Sequence, residues 1–411
     1  MKLHRRNLLA AGTGVIAAAT VGRRARAQAN TIKIGLLSDF SGPYRDINSP
    51  TSVVCAKQAI AEFSASNPSI NVELITADHQ NKPDAGTTIL RGWFDREGVD
   101  MVLNITNSAV ALACSNIVTD KDKTCVNTSA GTSVLTGTSC TANVVQWTYD
   151  TWNLAHSTAT QVVKAGGDKW FFVTPNYAYG KALQADATKF VEAAGGKVMG
   201  AVTFPFPETT DFSSFIIQAS SSGANAVAFA TGGNDLVSFM KQAQEFGLIK
   251  KARMAGMTGF ITDVLAMGPT VAQGLTLTEN FYWDLNDRTR AFYGRIKPKL
   301  DADVFPCSIH AGDYSGTLHY LKAVKEMGAA RAKVSGREVV AMMKKMPTDD
   351  DCFGPGHVRE DGRKIHPAYL FEVKTPAEIT AHGGVYKLLA TTPTEEAFRP
   401  LSEGGCPLVR I

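Results

Sequence analysis

The sequence predicts an α/β protein of two doubly wound parallel-sheet lobes. Three observations carry that expectation. Short, apolar, β-branched runs alternate with amphipathic helical stretches from Ile32 onward, the rhythm of a parallel sheet covered by helices. The rhythm pauses at VQWTYD (145–150) and then restarts. The chain has 411 residues, more than one ordinary core holds, so two domains are expected.

The first unit opens with IKIGLL (32–37), continuous and branched as a buried strand is. A helix is expected from about Thr51 to Ser64, a strand at NVELIT (71–76), and an amphipathic helix at AGTTILRGWFDRE (85–97). MVLNI (101–105) is a strand, a helix follows from Ser108, and TCVNT (124–128) is a fourth strand. In the second unit the strands are KWFFVT (169–174), GKVMGAVTF (196–204), AVAFAT (226–231) and ARMAGM (252–257). Helices are expected between them, over Gly180–Ala194, Phe212–Ser222 and Leu236–Phe246. The pattern turns helical between about Asp287 and Lys345, and residues 349–374 read as turns and a β-hairpin.

The amino-terminal 29 residues read as a secretory leader of the twin-arginine type. They hold Arg5–Arg6, a short apolar run, and small residues Ala25, Ala27 and Ala29 at cleavage spacing. The leader also hides the true charge. The formal net charge is +4, but the leader carries six basic residues and no acid; without it 36 basic residues face 38 acidic ones, a net of −2. A nearly neutral body lacks the basic face that nucleic-acid binding needs. A soluble, periplasmic mature protein is expected. Seven cysteines in an oxidising compartment imply some disulfides and at least one cysteine left over. Their spacing does not say which pair.

In doubly wound sheets the ligand site lies at the carboxyl ends of the strands. Six polar, aromatic or glycine-rich clusters fall there: 38–46, 106–109 and 128–133 in the first unit, 175–180, 232–235 and 258–263 in the second. Together they predict one shared cleft. Within it, Thr106, Asn107 and Ser108 form a polar knot where a strand turns straight into a helix. Such a start presents free N–H groups and the positive end of the helix dipole, and so suits an anion. No Lys or Arg and no phosphate loop accompanies it. Metalloprotease, Walker and nucleophile-elbow motifs are absent from the sequence, and GDYSG (312–316) reads as structural. The clusters hold hydroxyls, amides and aromatics rather than acid–base pairs, which suits reversible binding without cofactor or metal.

The blocks IKIGLLSDFSGPY, KWFFVTPNYAYGKAL, TTDFSSFIIQASSSGANAVAFATGGND and KQAQEFGL resemble the substrate-binding proteins of branched-chain amino-acid type ABC transporters. The resemblance runs from about Ile32 to Lys387. WTYDTW, TLTENFYWDLNDRTRAFYGRI and REDGRKIHPAYLFEVK are similar to a branch linked to non-amino-acid compounds, aromatic carboxylates included. It implies the periplasmic binding protein type I fold, with a three-strand hinge crossing near Gln146–Tyr149, Leu277–Phe281 and Cys352–Gly356. The expected division is a leader at 1–29, a first lobe of 30–147 with 279–352, and a second of 148–278 with 353–411. The partners implied are a small-molecule carboxylate and the permease and ATPase subunits of an ABC importer; a monomer is expected.

The resemblance also implies site residues. Ser108, and approximately Ala130 with Thr132, match the carboxylate-holding groups of the first lobe, and Tyr179 matches a tyrosine that closes from the second. Amino-acid binders further need an acidic residue for the ligand's ammonium. Met257 or Thr258 stands at its place, and a tyrosine that helps it is replaced near Gly233. A buried ammonium without a counter-charge costs several kcal/mol. A carboxylate lacking an α-amine is therefore expected, unless Asp235 or Asp263 substitutes. Asn107 belongs to the knot, Asn234 to the turn that closes the cleft, and Tyr44, Tyr177, Met257 and Phe260 would line a pocket for an apolar or aromatic body. Trp283 and Asp284 are ligand contacts or hinge packing. The competing readings are an amino-acid binder, a ligand sensor for a signalling receptor, and an exported enzyme.

Overall fold

The computed structural model describes residues 30–48 and 50–410; the leader lies outside the described residues. The first sheet is β1 (Thr31–Ser38), β2 (Asn71–Asp78), β3 (Met101–Asn104), β4 (Thr124–Asn127) and β5 (Val144–Gln146). Its order is β2-β1-β3-β4-β5, all parallel. Side chains alternate between the two faces with period two. Ile32, Ile34, Leu36, Met101 and Leu103 join one core cluster, while Leu37, Val102 and Cys125 join another on the opposite face. Helix α1 (Thr51–Ser66) covers the first face, and α2 (Pro83–Gly92) and α3 (Ser108–Asp120) pack together. The expected helix at 85–97 divides: its last turn, Trp93–Glu97, widens to a π-turn. That turn lays the Trp93 ring on Gly35, where a Cβ would stand 2.4 Å from it.

The second sheet comprises β6 (Lys169–Pro175), β7 (Lys197–Phe204), β8 (Ala226–Phe229), β9 (Arg253–Gly256) and β10 (Thr276–Glu279) in parallel. Antiparallel β13 (Ala368–Val373) and β14 (Tyr386–Thr392) extend it beyond β10. Helices α4 (Thr151–Lys164), α5 (Ala178–Ala193), α6 (Ser213–Ser221), α7 (Asn234–Glu245), α8 (Ile261–Met267) and α9 (Pro269–Ala272) accompany it. Phe229 stacks on Phe239 and Phe204 at ring-centre distances of 4.4 and 5.5 Å, the centre of its core.

The chain then returns to the first lobe through α10 (Asp287–Ile296), α11 (Ser308–Met327), α12 (Ala329–Ala332) and α13 (Gly336–Lys345). Helix α11 lies along α1. Gly312 and Gly316 let its other side approach the first crossing and β4 closely, since a Cβ would stand 2.4 Å from Thr148 and 2.6 Å from Val126 respectively. GDYSG is thus a packing surface. At the second crossing the buried Glu279 accepts from Ile261 N–H (2.9 Å), from the N–H and hydroxyl of Ser308 (3.1 and 3.0 Å) and from Tyr386 Oη (3.0 Å). One carboxylate so joins α8 and β14 to the start of α11.

Residues 353–411 do not stay with the second sheet throughout. The hairpin β11 (His357–Val358) and β12 (Lys364–Ile365) abuts the first sheet, with Arg363 bridged to Gln146. The buried Arg363 guanidinium donates to the carbonyls of Thr148 and Tyr149 and pairs with Asp150, fixing the first crossing. Beyond β14, Asn153 Nδ2 donates to Ala397 O (2.7 Å) and Arg399 donates to Ser133 O (2.9 Å). A Cys140–Cys406 disulfide fastens this tail to the first lobe, 266 residues apart in sequence. The other five cysteines are buried and free. Closing so long a loop restricts the unfolded chain strongly. Replacing both Cys140 and Cys406 by Ser is expected to lower the unfolding free energy by about 2–4 kcal/mol in denaturant titrations.

Candidate functional site

The first wall of the site is built where β3 gives way to α3. Asn104, Ile105 and Asn107 take φ angles of 78°, 50° and 72°. The left-handed region is costly for non-glycine residues, above all a β-branched one, and persists only where the surroundings enforce it. Here they do. Asn104 Oδ1 accepts from Ser38 Oγ and Thr106 Oγ1, both at 3.0 Å. Its Nδ2 donates to both Asp313 oxygens, at 3.3 and 3.1 Å. Ile105 N–H donates to Leu37 O at 2.8 Å, and the Ile105 side chain is buried. Asp313 also accepts from Thr128 Oγ1 at 2.5 Å, so one carboxylate on α11 holds the carboxyl ends of both β3 and β4. Burial raises its pKa to about 7 against the lowering effect of these donors.

The strained turn delivers Asn107 as a cap and Ser108 as the first residue of α3. Asn107 is fully engaged: Oδ1 accepts from Ala109 N–H (2.7 Å) and Val110 N–H (3.4 Å), and Nδ2 donates to Asn81 (2.6 Å). Those helix amides are therefore occupied. The hydroxyl of Ser108 is different. The residue lines the cavity and is 1 % exposed, and Oγ is buried with no hydrogen-bond partner. Beside it lie Ser129, Ala130 and Gly131, with the Ala130 N–H given to Asn127 Oδ1 (3.2 Å).

The second wall is Tyr177 and Tyr179 after β6, Thr231 and Gly232 after β8, and Thr258 after β9. The walls meet directly. Tyr44 Oη lies 2.5 Å from Tyr177 Oη and 3.1 Å from Thr231 Oγ1, and Asn234 N–H donates to Pro43 O at 3.4 Å. At the other end the Tyr179 hydroxyl pairs with Thr258. Gly131 separates the Tyr149 and Tyr179 rings, where a Cβ would stand 2.6 and 2.8 Å from them. The space between the walls is about 320 Å³ when the open solvent at its mouth is counted.

Of the residues singled out in the sequence, Tyr44, Asn107, Ser108, Ala130, Tyr177, Tyr179 and Thr258 line this cavity. Four do not. Thr132 turns its hydroxyl to Val134 N–H (3.3 Å) and caps the short 3-10 helix Ser133–Thr136. Met257 is wholly buried in the second-lobe core. Gly233 and Asn234 stand at the lobe contact instead: Gly233 has φ 71°, and a Cβ there would lie 2.9 Å from Pro43 O. Trp283 is packing, its ring against Tyr293 and Phe305 and its Nε1 on Gly383 O. Sequence reading did not single out Ile47, Tyr149 and Thr231. Tyr149 falls within a segment read as a crossing and Ile47 just beyond the 38–46 cluster; neither type carries a signal of its own.

All fourteen lining residues are uncharged. Asp263 is held back as a cap, accepting from Phe260 N–H at 3.1 Å. Asp235, in the first turn of α7, is buried with Oδ2 unpartnered, and burial raises its pKa to about 7. Neither acid reaches the cavity wall. Among the described residues no three His, Cys, Asp or Glu side chains converge on a metal position, and no helix is long and apolar enough to cross a membrane.

Two doubly wound lobes facing each other across a small, uncharged cleft have the architecture of a small-molecule binding protein. Comparison with known proteins places it. The chain belongs to the periplasmic binding protein family, whose model matches residues 31–378. A periplasmic binding protein of Burkholderia mallei shares 40% identity over 93% of this chain and all of its own, with a TM-score of 0.87. A branched-chain amino-acid ABC transporter periplasmic ligand-binding protein of Burkholderia xenovorans shares 36% over 92% of this chain and 99% of its own, at 0.81. A solute-binding protein of R. palustris solved with benzoate has the same fold at 21% identity, covering 92% of this chain and 100% of its own, at 0.78.

Asp235 gives a pH signature. In the unfolded chain it ionises near its ordinary value, whereas the fold keeps it protonated up to about pH 7. Its contribution to stability is therefore lost as pH rises from about 4 to 7. Asp235→Asn is expected to gain stability relative to wild type across that window, by about 1–3 kcal/mol at its upper end, and to run parallel to it above. Paired denaturant titrations from pH 4 to 8 measure this.

Proposed function

We propose that this periplasmic binding protein captures a small carboxylate lacking an α-amine, with an aromatic body, and delivers it to an ABC permease. The observation that carries the reading is Ser108 Oγ. It is a buried hydroxyl without a partner, at the positive end of a 13-residue helix, on a residue that lines an uncharged cavity. A carboxylate oxygen supplies the missing acceptor. Hydrogen bonds to charged groups contribute about 1.5–3 kcal/mol each, and the helix dipole favours the negative charge. Tyr44, Tyr149, Tyr177 and Tyr179 offer ring faces to a flat apolar body. The missing acidic wall residue argues against an ammonium. Aromatic-acid ligands are also known in this fold, as the benzoate complex from R. palustris illustrates.

Isothermal titration against benzoate- and cinnamate-like acids and the branched-chain amino acids tests this. Aromatic acids are expected to bind, and Ser108→Ala to weaken them about 10- to 100-fold while thermal stability stays close to wild type. Binding of leucine or valine with none of the aromatic acids would sink the reading.

A further inference from the structure

We infer that the Tyr44–Tyr177–Thr231 cluster selects ligands carrying a neutral hydroxyl group away from the carboxylate; this rests on the carboxylate reading above. The cluster is set apart from Ser108 within the same cavity. Tyr44 follows β1 and Tyr149 follows β5, with Ser108, after β3, between them in the sheet order. The cavity thus has a hydroxyl pole on the β1 side, beyond the place of the carboxylate. Tyr177 stacks on Phe206 at 4.6 Å, and Tyr44 leans on the same ring at 5.7 Å. The two phenols are therefore held in place by packing.

The donor count makes the pole selective. Three hydroxyls hold three donors and up to six acceptor positions. Tyr44 contacts both others, and Tyr177 and Thr231 also lie within hydrogen-bonding reach of each other. The three donors can therefore close on one another, and several acceptor positions remain. Rotating the hydroxyls lets the cluster either give or take one hydrogen bond, which a ligand hydroxyl returns in kind. An ammonium finds no carboxylate lining the cavity, and a second carboxylate finds no cation. Both would be buried unpaired at a cost of several kcal/mol. A methyl or a bare ring edge offers the open acceptor positions no donor and forgoes that hydrogen bond. Because Tyr44 belongs to one lobe and Tyr177 and Thr231 to the other, a ligand hydroxyl joined to this chain also helps to hold the lobes together.

The experiment compares benzoate with 2-, 3- and 4-hydroxybenzoate by isothermal titration, in wild type and in the separate variants Tyr177→Phe and Thr231→Val. The readout is the affinity ratio of the tightest hydroxybenzoate to benzoate, which is independent of any general loss of affinity. In wild type the ratio is expected to be about tenfold, one hydrogen bond's worth. It is expected to fall below about threefold in at least one variant. A wild-type ratio near one, or a ratio unchanged in both variants, overturns the inference while leaving the carboxylate reading standing. Variants that weaken all four acids equally show the cluster to be only a lobe latch, and overturn it too. If no acid binds the wild type, the carboxylate reading fails and the inference fails with it.

Discussion

One buried carboxylate, Asp313, is what the first wall depends on. It sits on α11, reached only after the chain has built the first sheet and the parallel strands of the second, and it takes the side chains of Asn104 and Thr128. Those two residues end β3 and immediately follow β4. The loops they anchor carry Ser108 and Ser129–Gly131. Without a buried acceptor there, the left-handed turn through Asn104, Ile105 and Asn107 would lose a central tie among those that enforce it. The small residues Gly312 and Gly316 serve the same end, since they let α11 come close enough to place the acid.

The site so positioned works by leaving one group unsatisfied among many that are satisfied. Asn107, Ala130, Thr106 and Ser129 all spend hydrogen-bonding groups inside the protein. Ser108 keeps its hydroxyl for something else. Preorganisation of this kind reduces the ordering cost of binding. The opposite wall contributes hydroxyls and rings but no charge, so an anion of the proposed kind would be compensated by a helix end and a donor rather than by an ion pair.

The two walls meet through few but specific contacts, and the chain ties them at their base more firmly than at their mouth. Glu279 and Arg363 fasten two of the passages between lobes, each by several hydrogen bonds from different elements. The tail adds a covalent tie at Cys140–Cys406. At the mouth, by contrast, the links are hydroxyl pairs and a single backbone bond from Asn234 to Pro43. That gradient suits a hinge movement that opens the cleft while preserving the base.

The strands, their alternation with helices and the family were legible in the sequence because periodicity and turn chemistry are local properties. So were the polar clusters at the strand ends, and with them Ser108, Tyr44, Tyr177 and Tyr179. What sequence did not decide is which way a side chain turns. Thr132 and Ser108 are both small hydroxyl residues after parallel strands, yet one caps a 3-10 helix and the other lines the cavity. Met257 is as apolar as a pocket lining should be, but the strand register sends it into the core. The disulfide joins residues 266 positions apart, and the tail's return to the first lobe left no periodic mark. Local pattern fixes the elements. Only the packing of distant elements fixes which polar groups find partners and which, like the Ser108 hydroxyl, are left without one.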